Sequence, residues 1–360
     1  MSTSCNDNGQ TADCDALISE RMVKMKTQNK RMSTVMAMAG AIALTVGLSA
    51  CGGSTSASSG SASHHYTIGF IPGITTDPFY ISMEAGAKAE AQKLGVTLDW
   101  TGNTQWSYTA QDPYISGLIA KHVNFLAVAP DDLHASIPAL KKAISAGIPV
   151  GTVDTTVADQ KILKFMITSN NLKGGAYAAQ WIAKKIGYKG DVAVINDEPG
   201  ISTTDLRNQG FVTQIKKYPH IKLVADVYTN NQPSVAEADL ESIMLAHPQV
   251  KAVYAVNTQT GTGAADALVH LGRQQSLKHP SPNKVWLIAY DAEPPEVTDL
   301  NNGSIQALIV QKPYLEGEMA VKYAYDYLTG KKNLITKTNY LTNILATKAN
   351  ESSTSKWFYK

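Results

Sequence analysis

Polar side chains follow six short apolar runs of this 360-residue sequence, at the point where each run ends. They are Asp77 within Thr75-Thr76-Asp77-Pro78-Phe79-Tyr80, Asp154-Thr155, Asn196-Asp197-Glu198, Asn257, Asp291 and Gln311. Carboxylates and amides bind polar ligands through hydrogen bonds, and hydrogen bonds to ionised groups are about twice as strong as neutral ones. Any one of these residues is explained equally well as a helix cap or a turn residue. Their recurrence in both halves of the chain predicts a polar binding cleft.

The apolar runs alternate with longer amphipathic segments, which is typical of parallel sheets covered by helices on both faces. Predicted strands cover residues 67–71, 96–100, 124–128, 149–153, 192–195, 223–227, 252–256, 285–289 and 306–310. Predicted helices cover residues 80–94, 110–121, 135–146, 174–186, 203–217, 236–246, 261–271 and 315–328. Ligands of open parallel sheets bind outside the carboxyl ends of the strands, where the polar residues lie.

The alternation of strands and helices is interrupted once, between Lys161 and Asn171. A short extended run over residues 163–168 leads there into Ser169-Asn170-Asn171 rather than into a helix. This interruption predicts a crossing of the chain between two α/β domains. Glycines at positions 95, 147 and 272 are each expected to end a helix.

The order and spacing of several motifs resemble the type I periplasmic binding proteins, which are the ribose- and galactose-type sugar-binding proteins of ABC importers. The resemblance covers residues 66–347. Its motifs are Ile68-Gly69-Phe70, Asp77-Pro78-Phe79-Tyr80, Gly86-Ala87-Lys88-Ala89-Glu90-Ala91, Ala146-Gly147-Ile148-Pro149-Val150, Val153-Asp154, Ser169-Asn170-Asn171, Gly174-Gly175, Arg207-Asn208-Gln209-Gly210-Phe211, Ala255-Val256-Asn257, Ala289-Tyr290-Asp291 and Val310-Gln311-Lys312-Pro313. The resemblance implies an α/β fold of two doubly wound parallel-sheet domains, joined by a three-segment hinge.

The resemblance also implies roles for the polar and aromatic residues. Phe79 and Tyr80 would stack on a sugar ring, and Asp77 would accept hydrogen bonds from its hydroxyls. Asp154 matches a strand-end aspartate that binds two hydroxyls, and Arg207 matches an arginine of the second domain. The remaining polar contacts would come from Asn257, Asp291 and Gln311.

Three positions bear on which ligand the cleft takes. Where the ribose binders place an arginine after the strand-four aspartate this chain has Thr155, and where they place an asparagine after strand three it has Ala129. We therefore expect a ligand other than ribose. Trp106, in the loop after the second strand, either adds a wall to the cleft or packs on the surface.

The segment Leu48-Ser49-Ala50-Cys51-Gly52 resembles the processing site of bacterial lipoproteins. Five basic residues between positions 21 and 31 form a positive n-region, and residues 35–46 form an apolar h-region. A retained transmembrane helix is the alternative, because the uncharged run over residues 32–50 is long enough to span a bilayer. Glycine, serine and threonine dilute this run and no positive flank follows it, which favours lipidation of Cys51.

The residues on either side of Cys51 complete this interpretation. Residues 52–65 are rich in glycine and serine and form a flexible spacer. Residues 1–20 are polar and unlike a signal peptide, so we expect translation to start at Met22 or Met25. Residues 1–50 are thus predicted to be a signal peptide whose N-terminus is placed too early, and residues 51–65 the lipidated cysteine and spacer.

Composition excludes several classes of protein. The chain has 32 lysine and arginine residues against 30 aspartate and glutamate, and no long basic block that would indicate nucleic acid binding. Cys5 and Cys14 precede the cleavage site and Cys51 carries lipid, so we expect neither a disulfide nor a thiolate metal site in the mature fold. No cofactor and no metal are expected.

The motifs of common enzymes do not occur. Gly261-Thr262-Gly263 follows a strand and opens a helix, but Asp266 replaces the last glycine of a dinucleotide fingerprint and would repel a pyrophosphate. The chain has no Walker A loop, no G-x-S-x-G elbow and no H-E-x-x-H motif. A lactose-repressor-type regulator shares the two-domain core, but a signal peptide and spacer occupy the place of its DNA-binding domain.

These features together predict a lipid-anchored, extracytoplasmic solute-binding protein that is not an enzyme and acts as a monomer. It would capture a small sugar or polyol and deliver it to the transmembrane subunits of an ABC permease. The resemblance places residues 66–169 and 312–340 in an N-terminal domain, and residues 170–311 and 341–360 in a C-terminal domain. The alternative is a lipid-anchored sensor that presents its liganded form to a membrane receptor.

Replacing Cys51 with serine is expected to abolish lipidation, because only a thiol at the cleavage site accepts the acyl group. Metabolic labelling with a palmitate analogue measures this, and Ser54→Ala in the spacer serves as the control that keeps its label. Equal labelling of the wild-type protein and Cys51→Ser would contradict the lipoprotein interpretation.

Overall fold

A computed structural model describes residues 65–360. The predicted signal peptide, Cys51 and the spacer up to residue 64 lie outside the described residues. Two six-stranded sheets organise the described part of the chain. No helix in residues 65–360 combines the length and the apolar character needed to cross a membrane.

The first sheet is entirely parallel, with the strand order β11-β5-β4-β3-β1-β2. Its strands are β1 (Thr67–Ile71), β2 (Thr97–Trp100), β3 (Phe125–Val128), β4 (Val150–Val153), β5 (Met166–Ser169) and β11 (Thr338–Leu341). Its helices are α1 (Pro78–Leu94), α2 (Tyr108–Ala120), α3 (Ile137–Ser145) and α9 (Pro313–Leu328). Ile68 and Phe70 pack with α1 and α9 on one face, and Ile71 packs with α2 and α3 on the other.

The second sheet has the order β12-β10-β9-β8-β6-β7, and only β12 is antiparallel to its neighbour. Its strands are β6 (Gly190–Asn196), β7 (Ile221–Tyr228), β8 (Val250–Ala255), β9 (Trp286–Tyr290), β10 (Ala307–Val310) and β12 (Ile344–Ala346). Helices α4 (Asn171–Lys185) and α5 (Ser202–Ile215) cover one face, and α6 (Pro233–Ala246), α7 (Thr258–His270) and α8 (Pro294–Asn302) cover the other. A short helix, α10 (Glu351–Thr354), lies near the C-terminus.

The chain passes between the two sheets after β5, after β10 and between β11 and β12. Every predicted strand and helix is present, with ends that differ by a few residues. The doubly wound α/β class is therefore confirmed. The predicted glycine stops are also confirmed, since Gly95, Gly147 and Gly272 all have a positive φ.

Four elements differ from the sequence-based expectation. Helix α4 begins at Asn171 with Asn170 as its N-cap, so the polar Ser-Asn-Asn segment starts the helix instead of preceding it. Helix α8 was not predicted, because only Glu296 and Leu300 are buried along it and its first turn holds two prolines, which the first turn of a helix tolerates. Strands β11 and β12 were also missed, since they are short edge strands in which Ala346 is the one fully buried residue.

Helices α4 and α5 approach each other at two glycines. A Cβ atom at Gly175 would lie 1.8 Å from the Arg207 carbonyl oxygen, and one at Gly210 would lie 2.0 Å from the Leu172 carbonyl oxygen. Both obstacles are backbone atoms, so the helices must separate before either position accepts a larger residue. This contact places Arg207 beside the N-terminal end of α4.

Gly210→Ala is expected to destabilise the protein by about 1–3 kcal/mol, because the methyl group overpacks the contact between α4 and α5. Gly117→Ala is the matched control: Gly117 lies in α2 with no atom within 4 Å of a built Cβ, so alanine there should stabilise by roughly 0.5–1 kcal/mol. Urea unfolding measures both values. Equal stability of the two variants would show that the helices can separate without cost.

Candidate functional site

A cavity lies at the carboxyl ends of the strands, between the two sheets. Its lining residues are Ile74, Asp77, Phe79, Tyr80, Trp106, Asp154, Asp197, Ile201, Thr203, Thr204, Arg207, Asn231, Asn257, Thr258, Gln259, Asp291, Glu293 and Gln311. The cavity volume is about 70 Å³. A single buried water needs about 10–15 Å³ on the same measure, so the cavity has room for several waters or one small ligand.

The structure brings together in this cavity all nine residues that were singled out as candidate ligand contacts. They are Asp77, Phe79, Tyr80, Trp106, Asp154, Arg207, Asn257, Asp291 and Gln311. Their role as ligand contacts remains a prediction, while their shared place in one cavity is a property of the fold. Asp266, by contrast, is exposed on α7 and does not line the cavity.

The start of α1 positions the first group of cavity residues. Pro78 occupies the first turn, and the Asp77 side chain accepts a hydrogen bond of 2.8 Å from the Phe79 backbone N–H. Phe79 and Tyr80 are thereby turned into the cavity with their rings at 87° to each other. The Tyr80 hydroxyl donates to Asp154 Oδ2 over 2.7 Å, which links α1 to the end of β4.

Trp106 is held against the cavity by Asp131. Its indole N–H donates to the Asp131 carbonyl oxygen over 2.9 Å, and its ring stacks near Tyr80 with centroids 6.4 Å apart. The Asp131 carboxylate accepts hydrogen bonds from Asn103, Gln111 and the Ser107 backbone N–H. These contacts fix the loop that carries Trp106. Of the two alternatives left by the sequence, the structure favours a wall of the cavity.

Two carboxylates of the cavity have an unusual backbone conformation. Asp154 follows β4 with a φ of 62°, and Asp291 follows β9 with a φ of 93°. Non-glycine residues rarely adopt the left-handed region, although aspartate and asparagine tolerate it better than most. Such strained residues cluster at functional sites, where the surrounding structure holds them in place. One strained carboxylate thus comes from each sheet.

Arg207 is almost fully buried, and most of the N–H groups of its guanidinium have a hydrogen-bond acceptor. Its Nε donates to Asn171 Oδ1 over 2.9 Å, and its Nη1 donates to the Val256 carbonyl oxygen and to Asp291 Oδ2 over 3.0 and 3.1 Å. The guanidinium lies 3.8 Å above the Tyr290 ring. Arg207 therefore holds the second half of the site together, in addition to its predicted role in binding.

Tyr359, one residue from the C-terminus, supports the site from behind and was not predicted from the sequence. Its hydroxyl donates to Asp291 Oδ1 over 3.0 Å and accepts from the Gln311 backbone N–H over 3.1 Å. Gln311 Nε2 donates to the same Asp291 oxygen over 2.5 Å. Both oxygens of Asp291 are thus engaged. No local pattern marks Tyr359, because its partners lie far away in sequence.

The Asp197 and Asn257 side chains meet on the second sheet. Asn257 Nδ2 donates to Asp197 Oδ2 over 3.1 Å and to Asn231 Oδ1 over 3.0 Å. Asp197 is 2% exposed, and its Oδ1 has no hydrogen-bond partner. The sequence marks Asp197 as a strand-end residue but does not predict that it binds the ligand.

Residues at the starts of α5, α7 and α8 supply the other polar cavity residues that sequence reasoning missed. Thr203, Thr204, Thr258 and Gln259 come from the starts of α5 and α7, and Glu293 immediately precedes α8. Glu293 was not identified because the sequence pattern did not predict α8, the helix that it precedes. Together with α1, four helix N-termini point at the cavity.

Burial raises the pKa of several carboxyl groups in the cavity. The pKa of Asp154 is raised to about 7 by desolvation, although the Tyr80 hydrogen bond and Arg207 act against this shift. Desolvation likewise raises the pKa of Asp197 to about 7, with Glu198 adding to the shift. The pKa of Asp77 is raised to about 6, and that of Glu293 to about 10, by desolvation first and by the proximity of other carboxylates second.

The two edges of the cleft touch each other. The Leu133 backbone N–H donates to the Gly200 carbonyl oxygen over 3.0 Å, and the Thr156 N–H donates to Ser202 Oγ over 2.9 Å. At the C-terminus the Lys360 N–H donates to Ser82 Oγ over 2.9 Å. Each bond joins a residue on the first-sheet side to one on the second-sheet side or to the C-terminal segment. The conformation is therefore closed around the cavity.

Comparisons with known proteins agree with this architecture. The family model described as a periplasmic binding protein domain matches residues 68–332. The ribose import binding protein of Bacillus subtilis (strain 168) is 29% identical over 269 residues, which cover 74% of this chain and 83% of that protein. The D-apiose import binding protein of Actinobacillus succinogenes is 27% identical over 262 residues, 71% of this chain and 81% of that protein.

The solved structures that resemble the chain are of the same kind. An ABC transporter solute-binding protein from Agrobacterium vitis, bound with α-D-tagatopyranose, is 32% identical with a TM-score of 0.77. The match covers 82% of this chain and 99% of that one. A carbohydrate transporter solute-binding protein from Agrobacterium radiobacter, in complex with D-arabinose, is 26% identical with a TM-score of 0.74, over 82% of this chain and 98% of that one.

The ligand-free protein is expected to become less stable as the pH rises from 5 to 8. The raised pKa of Asp154 means that the folded state holds a proton there which the unfolded chain, with a pKa near 3.9, has already lost. That contribution is complete below the unfolded pKa and is lost as the pH rises through about 7. Over this window it amounts to on the order of 2 kcal/mol for Asp154.

Asp154→Asn should flatten the pH dependence by about that amount, because asparagine tolerates the left-handed backbone and still accepts from Tyr80. Asp266→Asn, on the exposed face of α7, should leave the profile unchanged. Chemical unfolding at a series of pH values measures the free energy. A profile that rises toward pH 8, or is identical in all three proteins, would contradict the assignment of a buried, protonated Asp154.

Proposed function

The chain belongs to the periplasmic binding protein family, and we propose that it is an extracytoplasmic solute-binding protein that delivers a small sugar or polyol to an ABC importer. The observation that carries this proposal is the closed cavity between the two sheets, with polar side chains from both. Asp77 and Asp154 face it from the first sheet, and Arg207, Asn257 and Asp291 face it from the second. Hydrogen-bonding groups on opposite walls suit a compact ligand with many hydroxyl groups.

Aromatic rings on one wall suit the same kind of ligand. Phe79, Tyr80 and Trp106 line the first-sheet side of the cavity. A sugar presents an apolar C–H face and a polar rim, and an aromatic ring packs against the former while carboxylates and amides bind the latter. Pockets built from hydrogen-bonding groups also discriminate strongly against analogues that lack a hydroxyl, because the protein group then stays unpaired.

Ligand contacts to both sheets would couple binding to closure. A ligand shifts a conformational equilibrium only by its differential affinity for the two states. Contacts to Asp154 on one side and Asn257 on the other can be made together only when the cleft is closed. We infer that the two domains comprise residues 66–169 with 312–340 and residues 170–311 with 341–360, and that the three crossings form the hinge.

The proposal extends to the cellular context of the protein. A lipid on Cys51 and a flexible spacer would tether the domains to the outer side of the bacterial cell membrane, where the transmembrane subunits of a permease collect the ligand. We propose that the protein acts as a monomer and catalyses no reaction. The names of the relatives refer to import and give no support to a sensor that signals to a membrane receptor.

A calorimetric screen of pentoses, hexoses and polyols, together with their amino derivatives, tests the proposed function. We expect at least one compound to bind with 1:1 stoichiometry and to be recovered chemically unchanged. At pH 8, above the pKa of about 7 of the Asp154 carboxyl, Asp154→Asn should weaken binding by roughly ten- to a hundredfold, because a charged hydrogen-bond partner contributes about 1.5–3 kcal/mol.

The control variant for this screen is Asp266→Asn, which removes an exposed carboxylate far from the cavity and should keep wild-type affinity. Absence of binding by every compound would contradict the proposed function. So would a reaction product whose formation depends on the protein and is lost in Asp154→Asn.

A further inference from the structure

The cavity carries far more negative than positive side chains. Five carboxyl groups line it, those of Asp77, Asp154, Asp197, Asp291 and Glu293. Arg207 is the one basic residue among the lining residues, which include no lysine and no histidine. A neutral polyol can hydrogen-bond to carboxylates, but it cannot offset their charge. This imbalance is the starting point for the nature of the ligand.

Arg207 offsets only one of the five carboxylates. Its Nη1 lies 3.1 Å from Asp291 Oδ2, and the other Asp291 oxygen accepts hydrogen bonds from Gln311 and Tyr359. This pair is complete within the protein. The carboxyl groups of Asp77, Asp154, Asp197 and Glu293 lie within 4.0 Å of no lysine, arginine or histidine nitrogen in residues 65–360.

Helix N-termini and protons retained by the carboxyl groups reduce the excess of negative charge in the cavity. Four N-termini face the cavity, and each acts as roughly half a positive charge, for about two in all. The carboxyl groups of Asp77 and Glu293 interact across the cleft, and desolvation together with Asp77 raises the pKa of Glu293 to about 10, so Glu293 keeps its proton at neutral pH. When Asp154 and Asp197 have both lost their protons, above a pH of about 7, on the order of one negative charge remains uncompensated. That remainder matches a single cationic group on a ligand.

Two buried acceptor atoms of the cavity have no donor within the protein. Asp197 Oδ1 and Gln311 Oε1 form no hydrogen bond in the described part of the chain, and both residues are only 2% exposed. An unsatisfied buried acceptor costs free energy, so these atoms indicate where a ligand donates hydrogen bonds. An ammonium group has three donors and no acceptor, which suits sites that consist of acceptors alone.

The carboxylates are spread around the cavity and do not converge on one point. Three candidate metal-ligand atoms lie within 4.8 Å of one another at Glu237, Glu241 and His270, on the outer helices α6 and α7, and at no place in the cavity among residues 65–360. A divalent cation needs several oxygen ligands at about 2.0–2.6 Å. The arrangement therefore fits an extended organic cation better than a bare metal ion.

From these observations we propose that the ligand is an amino sugar or amino polyol, whose protonated amine binds beside Asp197 and donates to its unpartnered Oδ1. The proposal rests on the proposed function, since it specifies the ligand class of the same cavity. The hydroxyl groups of the ligand would meet Asp154 and Asn257, and its carbon skeleton would pack against the aromatic wall. Burial raises the pKa values of Asp77 and Asp197 and neighbouring carboxylates add to both shifts, so a cation bound beside them would favour their ionised forms.

Matched sets of compounds at pH 7.0 test this proposal by calorimetry. Each set comprises a hexosamine, its parent hexose and its N-acetyl derivative, in the gluco, galacto and manno series, together with glucamine against sorbitol. We expect at least one amine to bind at least tenfold more tightly than its neutral parent. The N-acetyl derivative should gain nothing over the parent, because it keeps the nitrogen and loses the charge.

A charge-neutralising variant locates the amine. Asp197→Asn keeps the size of the side chain and is expected to lower the ratio of amine affinity to neutral-parent affinity by tenfold or more, because it removes the charge that selects the amine. The exposed control Asp266→Asn should change neither affinity. Titration with calcium chloride, alone and with each neutral parent, tests a metal ion in the same cavity.

The outcomes separate this proposal from the proposed function. Neutral compounds that bind as tightly as their amines in every set would overturn the amino ligand and leave a sugar-binding protein. Calcium-dependent binding of a neutral parent would overturn it in favour of a metal site. If no compound of either kind binds, the proposed function fails and the amino ligand fails with it.

Discussion

The buried ion pair between Arg207 and Asp291 connects most of the elements around the cavity. Arg207 lies on α5 and contacts the first residue of α4 and the end of β8, and Asp291 ends β9 and contacts Gln311 and Tyr359. Removing one partner of a buried pair costs about 3–5 kcal/mol, because the other charge is left uncompensated. Helices α4 and α5 also approach each other closely at Gly175 and Gly210, next to Arg207. The backbone position of Arg207 is therefore fixed by helix packing as well as by its ion pair.

A second constraint is the crowding of carboxyl groups that closure produces. Asp77 and Asp154 belong to the first-sheet side and Asp197, Asp291 and Glu293 to the second. Each is tolerable when solvated, but closing the cleft removes water and strengthens their repulsion. The protein can relieve it by retaining protons or by enclosing donors and positive charge. The closure of the cleft and the charge of the ligand therefore depend on the same repulsion between carboxylates.

Local sequence patterns predicted most of the strands and helices and much of the candidate site. Apolar runs with helical segments between them predicted the two parallel sheets, because β and α periodicities are local properties of the chain. Asp77, Asp154, Asn257, Asp291 and Gln311 were found by one rule, that ligands bind at the carboxyl ends of parallel strands. The rule needs only the end of each apolar run. Strands β11 and β12 and helix α8 were not predicted, since too few of their side chains are buried to produce an apolar pattern in the sequence.

The sequence by itself determined the α/β class, the strand ends that meet in the cavity and the family resemblance. Only the tertiary structure decided how these residues are partnered. Tyr359 reaches Asp291 across 68 positions, and Glu293 meets Asp77 from the opposite sheet. Asp197 became a cavity residue because Asn257 and the closed cleft hold it there. Hydrogen bonds and charges act through distance in space, which local sequence patterns do not contain.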